Sequence, residues 1–370
     1  MAAKGKSPDF ILFITVMMLL SIGIIMVFSS SSYYAMFPPF NNPFHFLMRQ
    51  LMHAAIGVVV MGVMVKYDYR QFKRWSRHLL IAAFVMLVAV LTPLGETRLG
   101  AQRWINLGFY SFQPTELVKF CMIVFTAYAL SIKRDKIQNF REGILPFIIL
   151  AGAAGVLILL EPDLGTAVTL VGTIFIMLFA AGSRLFHLLA LGALGVGAVA
   201  AAIFSDSGGY RYQRFMAFLD PAKDPDGAGW HILNSLMSIG SGGLLGTGLG
   251  QGRHSKFLYL PERQTDFIFA VIGEELGFIG GALVIVLFIL FIWRGFKVAI
   301  TAPDSFGSLL GAGIVSGIGL QAIINIGVVT STLPVTGITL PFLSFGGTSL
   351  VFTLMGVGVL LNISRYITPK

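Results

Sequence analysis

Residues 267–293 read FIFAVIGEELGFIGGALVIVLFILFIW, an apolar run interrupted by the pair Glu274-Glu275 and a scatter of glycines. A helix needs roughly 20 mostly apolar residues to cross the hydrocarbon of a bilayer, and this run supplies them. Working outward from it, nine more such runs appear, at about 10–28, 46–65, 79–95, 113–131, 143–160, 164–181, 184–204, 307–330 and 341–363. The chain is therefore expected to be an all-α polytopic membrane protein of about ten transmembrane helices, one domain over residues 1–370. Composition agrees: 12% of the residues are charged and 56% hydrophobic, with a mean hydropathy of +0.83, where a soluble domain carries about 25% charged residues. An ordinary water-soluble protein, a disordered chain and a coiled coil are excluded. A single cysteine, Cys121, leaves no internal disulfide framework and no multi-cysteine metal site. The first run is too long for a signal-peptide core, and Ser29 to Ser32 lead into aromatics instead of a cleavage site.

Basic residues in the short loops set the orientation. Loop 66–78 holds Lys66, Arg70, Lys73, Arg74 and Arg77, and loop 132–142 holds Lys133, Arg134, Lys136 and Arg141. With ten spans these share one side with Lys4, Lys6, Arg184, Arg294, Lys297, Arg365 and Lys370, while the opposite short loops carry Arg98 and Arg103. Both termini are expected in the cytoplasm. The net charge of +9 is then mostly a topology signal; the cations are dispersed and no recognition motif accompanies them, so nucleic acid is not an expected partner. Residues 205–265 form a large extracytoplasmic loop between spans 7 and 8. Its middle, His231 to Leu245, is apolar but dotted with Asn234, Ser235, Ser238 and Ser241, and reads as an interfacial or re-entrant segment. Loops of this length are usually functional.

Ionisable groups inside membrane spans are costly and mark function by default. Glu116 and Lys119 lie in span 4 at i, i+3 on one helix face; they form either a structural ion pair or a charged wall of a substrate cavity. Arg49 starts span 2 and either snorkels to the interface or meets substrate. Arg98 and Arg103, the latter followed by Trp104, flank a short outer loop where an arginine fork suits phosphate, although a solvated loop with an interfacial tryptophan is the plain alternative. In the turn Glu161-Pro162-Asp163, Asp163 is placed to cap span 6, which leaves a second role open. Asp266 opens the run quoted above: a cap, or a carboxylate whose partial burial raises its pKa towards that of a usable base. Glu274, eight residues on, is about 80° from it on a helical wheel, while Glu275 points nearly opposite.

The missing motifs narrow the chemistry. There is no P-loop, no H-E-x-x-H, no G-x-S-x-G elbow, and Gly246 to Gly252 is no dinucleotide fingerprint. Any hydroxyl activation must rely on a carboxylate.

Several long motifs carry a resemblance. Gly240-Ser241-Gly242-Gly243-Leu244-Leu245-Gly246, Tyr259-Leu260-Pro261-Glu262-Arg263-Gln264-Thr265-Asp266-Phe267-Ile268-Phe269-Ala270, and Gly273-Glu274-Glu275-Leu276-Gly277 closely resemble the SEDS family (FtsW, RodA, SpoVE). So do Pro114-Thr115-Glu116, Pro162-Asp163-Leu164-Gly165-Thr166, and Leu333-Pro334-Val335-Thr336-Gly337 continuing to Ser344-Phe345-Gly346-Gly347. Gly250-Gln251-Gly252-Arg253 and Gly337-Ile338-Thr339-Leu340-Pro341 look more like FtsW or SpoVE than RodA, and Phe345 stands where family members commonly have tyrosine. The resemblance implies a peptidoglycan glycosyltransferase of the bacterial cytoplasmic membrane that polymerises lipid II on the outer face beside a class B penicillin-binding protein. By the same resemblance, Asp266 matches the family's essential aspartate, and Arg103-Trp104, Glu116 and Lys119 match positions of its central cavity.

On that reading Asp266 is the base for the acceptor sugar hydroxyl. The leaving pyrophosphate is met by Arg103, Arg211 or Arg214, or by a divalent cation (magnesium or manganese) that is not a tightly protein-ligated metal. Two other classes stay open. A lipid II flippase would use ionisable groups near the midplane, such as Glu116, Lys119 and Glu274. A non-catalytic scaffold would only dock the penicillin-binding protein.

Overall fold

The computed structural model describes residues 7–98, 101–106, 108, 111–133, 136–205, 209–225, 227, 229–253 and 262–367, and of Arg98, Ala198, Ala202, Tyr210 and Arg211 the backbone alone. Helix α1 (Phe10–Ala35) begins at Asp9, whose carboxylate accepts from the Leu12 amide at 2.9 Å, a cap that contributes about 1 kcal/mol. Helices α2 (His45–Lys66) and α3 (Gln71–Val90) follow, then a small antiparallel sheet of β1 (Gly95–Arg98), β2 (Ala101–Asn106) and β3 (Ser111–Phe112). The strands lie in chain order, with Gly95 opposite Ile105 and Ile105 opposite Phe112. Helix α4 (Pro114–Ile132) carries proline at its first position, where no amide partner is lost. Helices α5 (Leu145–Leu160), α6 (Leu164–Ala180) and α7 (Leu185–Phe204) lead into α8 (Tyr210–Leu219) and α9 (Trp230–Ser241). The chain ends with α10 (Ile268–Ile300), α11 (Ser305–Val329) and α12 (Gly347–Ser364).

Seven of these helices are long and apolar enough to cross a membrane: α1, α2, α4, Phe140–Leu160 (which contains α5), α10, α11 and α12. The protein is thus a polytopic helical membrane protein. The remaining three expected spans also fall on helices. Of these α6 is short, and α3 starts among cations at Gln71 and stops at Val90, before the expected limit of 95. Three boundaries move. Helix α1 continues to Ala35, α10 runs on to Ile300 so that Arg294 and Lys297 sit on its last turns, and α12 starts at Gly347 because residues 341–346 form a turn. The all-α expectation omits the 95–112 sheet, whose strands are too short to show a periodic pattern.

Helix α11 is the hub, packed against α4, α6, α10 and α12. Leu310 and Val315 are wholly buried on it. Large apolar side chains such as Val59, Ile285, Ile289 and Trp293 stand exposed on the bundle's flanks, as lipid-facing surfaces require. At one end the start of α1 meets the ends of α10 and α12: the Asp9 amide donates to Ser364 Oγ at 2.9 Å, and Arg294 Nη2 pairs with the Asp9 carboxylate at 2.8 Å.

Helix α10 is broken at Gly277, where φ is +66° and ψ −166°. There the amides of Phe278 and Ile279 donate to the carbonyls of Gly243 and Leu244, and those of Thr247 and Gly248 donate to Glu274 and Glu275 (2.8–3.2 Å). The two helical bonds forfeited at the break are thus replaced by four to the turn after α9. A backbone orphaned inside the hydrocarbon would cost several kcal/mol, so this exchange lets a non-helical segment exist at membrane depth. The expected interfacial or re-entrant reading of His231–Leu245 resolves into α9 and this docked turn.

Candidate active site

Asp266 lies in the turn 262–267 and not on the helix, which starts at Ile268. Four hydrogen bonds hold that turn to three different elements. Arg263, buried, donates from Nε to the Ser30 carbonyl at 2.8 Å and lies over the Tyr34 ring. Ser344 Oγ donates to the Thr265 carbonyl at 2.5 Å, and the Phe345 amide to the Gln264 carbonyl at 2.7 Å. Asn325 of α11 uses both amide hydrogens, donating to the Asp266 carbonyl at 2.8 Å and the Ile338 carbonyl at 2.6 Å. The two motifs around 262–270 and 333–347 are therefore one hydrogen-bonded unit. Gly337, at φ +70°, brings that second motif so close to Asp266 that a Cβ there would lie 3.4 Å from its Oδ2.

The Asp266 carboxyl is surrounded by protein on most sides, and burial together with Glu262 and Asp163 pushes its pKa up to about 7, while Arg103 and Arg214 pull it down. That value suits a base operating near neutral pH. Arg103, on β2, wraps the turn between α5 and α6. Its Nε donates to the Glu161 carbonyl at 2.9 Å, its Nη2 to the Pro162 carbonyl, and its Nη1 lies 3.6 Å from Asp163 Oδ2. Asp163 caps α6 through the Thr166 amide at 3.0 Å, as its position before span 6 suggested, and faces Arg103 as well. Arg214, on α8, donates to the Val335 carbonyl at 3.3 Å. His231, on α9, stacks on Phe267 with ring centroids 5.9 Å apart; burial and Arg214 lower its pKa against the opposing pull of Glu262.

A second polar centre lies within the bundle. Lys119 Nζ bonds Glu116 Oε1 at 2.9 Å and Gln321 Oε1 at 3.0 Å, beside a cavity of about 60 Å³ lined also by Thr169, Thr173 and Phe352. Gln321 Nε2 donates onward to the Thr339 carbonyl at 3.0 Å. Among the residues singled out from sequence, the structure thus gathers Asp266, Arg103, Asp163 and Arg214 into one cluster and places Glu116 and Lys119 in another.

The helical-wheel pairing of Glu274 with Asp266 does not hold, because Asp266 precedes the helix. The charges acting on Asp266 are Glu262, Asp163, Arg103 and Arg214, and Glu274 is buried further along α10, while the Glu275 carboxylate accepts from Ser29 Oγ at 2.5 Å. Arg49 is exposed on the flank of α2, as the snorkelling alternative requires. Trp104 is half-buried on β2 opposite Glu96. The Arg98 and Arg211 side chains lie outside the described residues.

Sequence reading missed Asn325, Gln321 and His231. The signal for the first two was two amides one helical turn apart in an otherwise apolar span, Gln321-Ala322-Ile323-Ile324-Asn325.

The fold and this cluster define a class: polytopic membrane proteins with an acid-and-arginine centre built on loops at one mouth of the bundle. The chain belongs to the FtsW/RodA/SpoVE family, whose model, described as "Cell cycle protein", matches residues 10–368. Stage V sporulation protein E of Bacillus subtilis (strain 168) is 48% identical over 367 residues, 99% of each chain. A probable peptidoglycan glycosyltransferase FtsW of Geobacter sp. (strain M18) is 42% identical over 362 residues, 98% of each. Among solved structures, a chain of a peptidoglycan synthase complex that coordinates polymerization and crosslinking superposes with a TM-score of 0.81 at 29% identity, over 97% of this chain and 98% of that one. The rod shape determining protein RodA of Thermus thermophilus superposes with a TM-score of 0.71 at 29% identity, over 98% of each.

Proposed function

We propose that the protein is a peptidoglycan glycosyltransferase that polymerises lipid II at the outer face of the bacterial cytoplasmic membrane, beside a class B penicillin-binding protein. In this reading the chain is one membrane domain of about ten spans with cytoplasmic termini, and α8, α9 and β2 border the site through Arg214, His231 and Arg103. One observation carries the proposal. Asp266, poised to titrate near neutrality, sits in a turn clamped by Asn325 and Ser344, with Arg103 and Arg214 acting on it. Asp266 takes the proton from the acceptor 4-hydroxyl as that oxygen attacks the anomeric carbon of the donor. The bond from that carbon to the pyrophosphate breaks, the centre inverts, and the polyprenyl pyrophosphate leaves with its charge met by arginine.

No three or more His, Cys, Asp or Glu side chains converge as a metal cage among the described residues. A magnesium or manganese ion would accompany the pyrophosphate and offset its charge. The inner centre at Glu116 and Lys119 borders a cavity of about 60 Å³, room for a few waters at most, which favours surface chemistry over carriage of a headgroup.

Strand formation from lipid II by the purified protein, with and without a class B penicillin-binding protein, tests this. Asp266→Asn is expected to lose roughly 10²-fold or more while folding normally; undiminished polymer would refute Asp266 as base. No polymer, together with lipid II scrambling in liposomes, would move the assignment to the flippase.

A further inference from the structure

Glu161 is the group the reaction above leaves unused. Its side chain is fully buried, and neither carboxyl oxygen finds a hydrogen-bond partner among the described residues. The cation beside it is already engaged: Arg103 bonds the Glu161 and Pro162 backbone carbonyls and faces Asp163, not the Glu161 carboxyl. An ionised carboxylate buried without a hydrogen-bond partner is strongly disfavoured, and such a group takes up a proton instead. The surroundings agree. Helices α5 and α6 and residues 333–347 contribute no ionisable side chain. Asp163 in the same turn pushes Glu161 up and Arg103 on β2 pulls it down, the net result with burial being a pKa of about 8. Asp266 feels the same Asp163 and Arg103.

We infer that Glu161 is a positioning residue held as the neutral acid, and that its neutrality keeps Arg103 turned towards Asp163 and available to the anionic pyrophosphate. With Glu161 neutral, Arg103 and Arg214 face three carboxyls: Asp163, Glu262 and Asp266. Ionising Glu161 would add a fourth beside Arg103, draw the guanidinium off the turn, and place a buried anion behind the pyrophosphate subsite. The inference rests on the proposed glycosyltransferase reading for its effect on rate, but not for the protonation itself.

The test is the pH profile of strand formation from lipid II by the wild type, Glu161→Gln and Glu161→Met, paired with infrared difference spectra between the wild type and Glu161→Gln. The wild-type rate should rise through about pH 7 as Asp266 ionises and fall above about pH 8, with KM rising on that limb. Both variants should keep the acid limb and lose the alkaline one. A carboxylic-acid band absent from Glu161→Gln should be present in the wild type at pH 7 and titrate away near pH 8. An alkaline limb unchanged in Glu161→Gln, or in Glu161→Met where the Gln variant does not fold, overturns the positioning role; an absent band overturns the protonation. A wild type that makes no strand at any pH defeats the glycosyltransferase reading, and the band then decides the inference on Glu161 alone.

Discussion

Asn325→Ala removes the side chain that ties the Asp266 turn to the 333–347 motif, and its consequence follows from the geometry. Two N–H···O bonds, at 2.8 and 2.6 Å, are lost from a side chain that is 1% exposed. Each such bond contributes about 1 kcal/mol net, and a buried carbonyl left without a donor costs about 1–3 kcal/mol. The total is roughly 2–4 kcal/mol, and at 1.4 kcal/mol per decade this loosens the turn by a factor of roughly 30 to 1,000. Most of that loss should fall on placement of the Asp266 carboxyl, so kcat for strand formation drops at least tenfold while KM for lipid II changes little. Asn325→Asp keeps the shape but offers acceptors where donors are needed, and should be worse than Ala. Gln321→Ala, one turn away, leaves both Asn325 bonds and should retain most activity. An Asn325→Ala protein with wild-type rate and melting temperature would show that the turn does not depend on this amide.

Three further outcomes are expected. Asp266 has a folded pKa raised from 3.8 to about 7, so its contribution to stability is fully present below its unfolded value and is lost as pH rises through about 7. Asp266→Asn should therefore melt higher than the wild type at pH 8, with the gap closing towards pH 4; an equal melting temperature at pH 8 would contradict the burial of this carboxyl. Gly242→Ala would set a Cβ 1.9 Å from the Gly273 carbonyl, forcing the turn off the break in α10 and exposing up to four hydrogen bonds, about 1 kcal/mol each; a large fall in detergent melting temperature checks it. Replacing Lys119 by Met or Glu116 by Gln alone strands a partly buried partner at a cost of up to about 3–5 kcal/mol, whereas the double variant removes both charges and should recover much of that loss, as a thermal double-mutant cycle will read.

The polytopic helical character was legible because apolar length is a one-dimensional signal, and a helix lies on each of the ten apolar runs, seven of them long and apolar enough to cross a membrane. Asp266 and Asp163 were legible as costly charges at expected helix ends, and Arg103 as a cation in a short outer loop. The arrangement joining them was not. A wheel drawn from Asp266 to Glu274 assumes a continuous helix, yet the chain turns at 262–267 and becomes helical only at Ile268, and that turn does not alter the hydrophobic pattern. Asn325 was hidden for the opposite reason: an uncharged amide hardly lowers the hydropathy of its span, although two backbone carbonyls depend on it. Glu161 was passed over beside a good capping residue, and Arg103, which lies beside it in the fold, is 58 residues away in the chain.

Helix α11 gives these separate features a common logic. Gln321 and Asn325 stand one turn apart on the helix that packs against α4, α6, α10 and α12. Gln321 joins Lys119 to the Thr339 carbonyl, and Asn325 joins the adjacent Ile338 carbonyl to Asp266. The motif 333–347 is thus stapled at two consecutive carbonyls to a rigid hub, with one staple leading to the Glu116–Lys119 centre and the other to the Asp266 turn. Loops alone would place a catalytic carboxyl poorly, since they open at low free energy. Here the loop borrows its rigidity from α11, the turn after α9 borrows its backbone partners from the break in α10, and Arg103 holds the turn before α6. The site can then face an aqueous surface, where a sugar and a pyrophosphate must enter, while each element that orients it is anchored within the bundle.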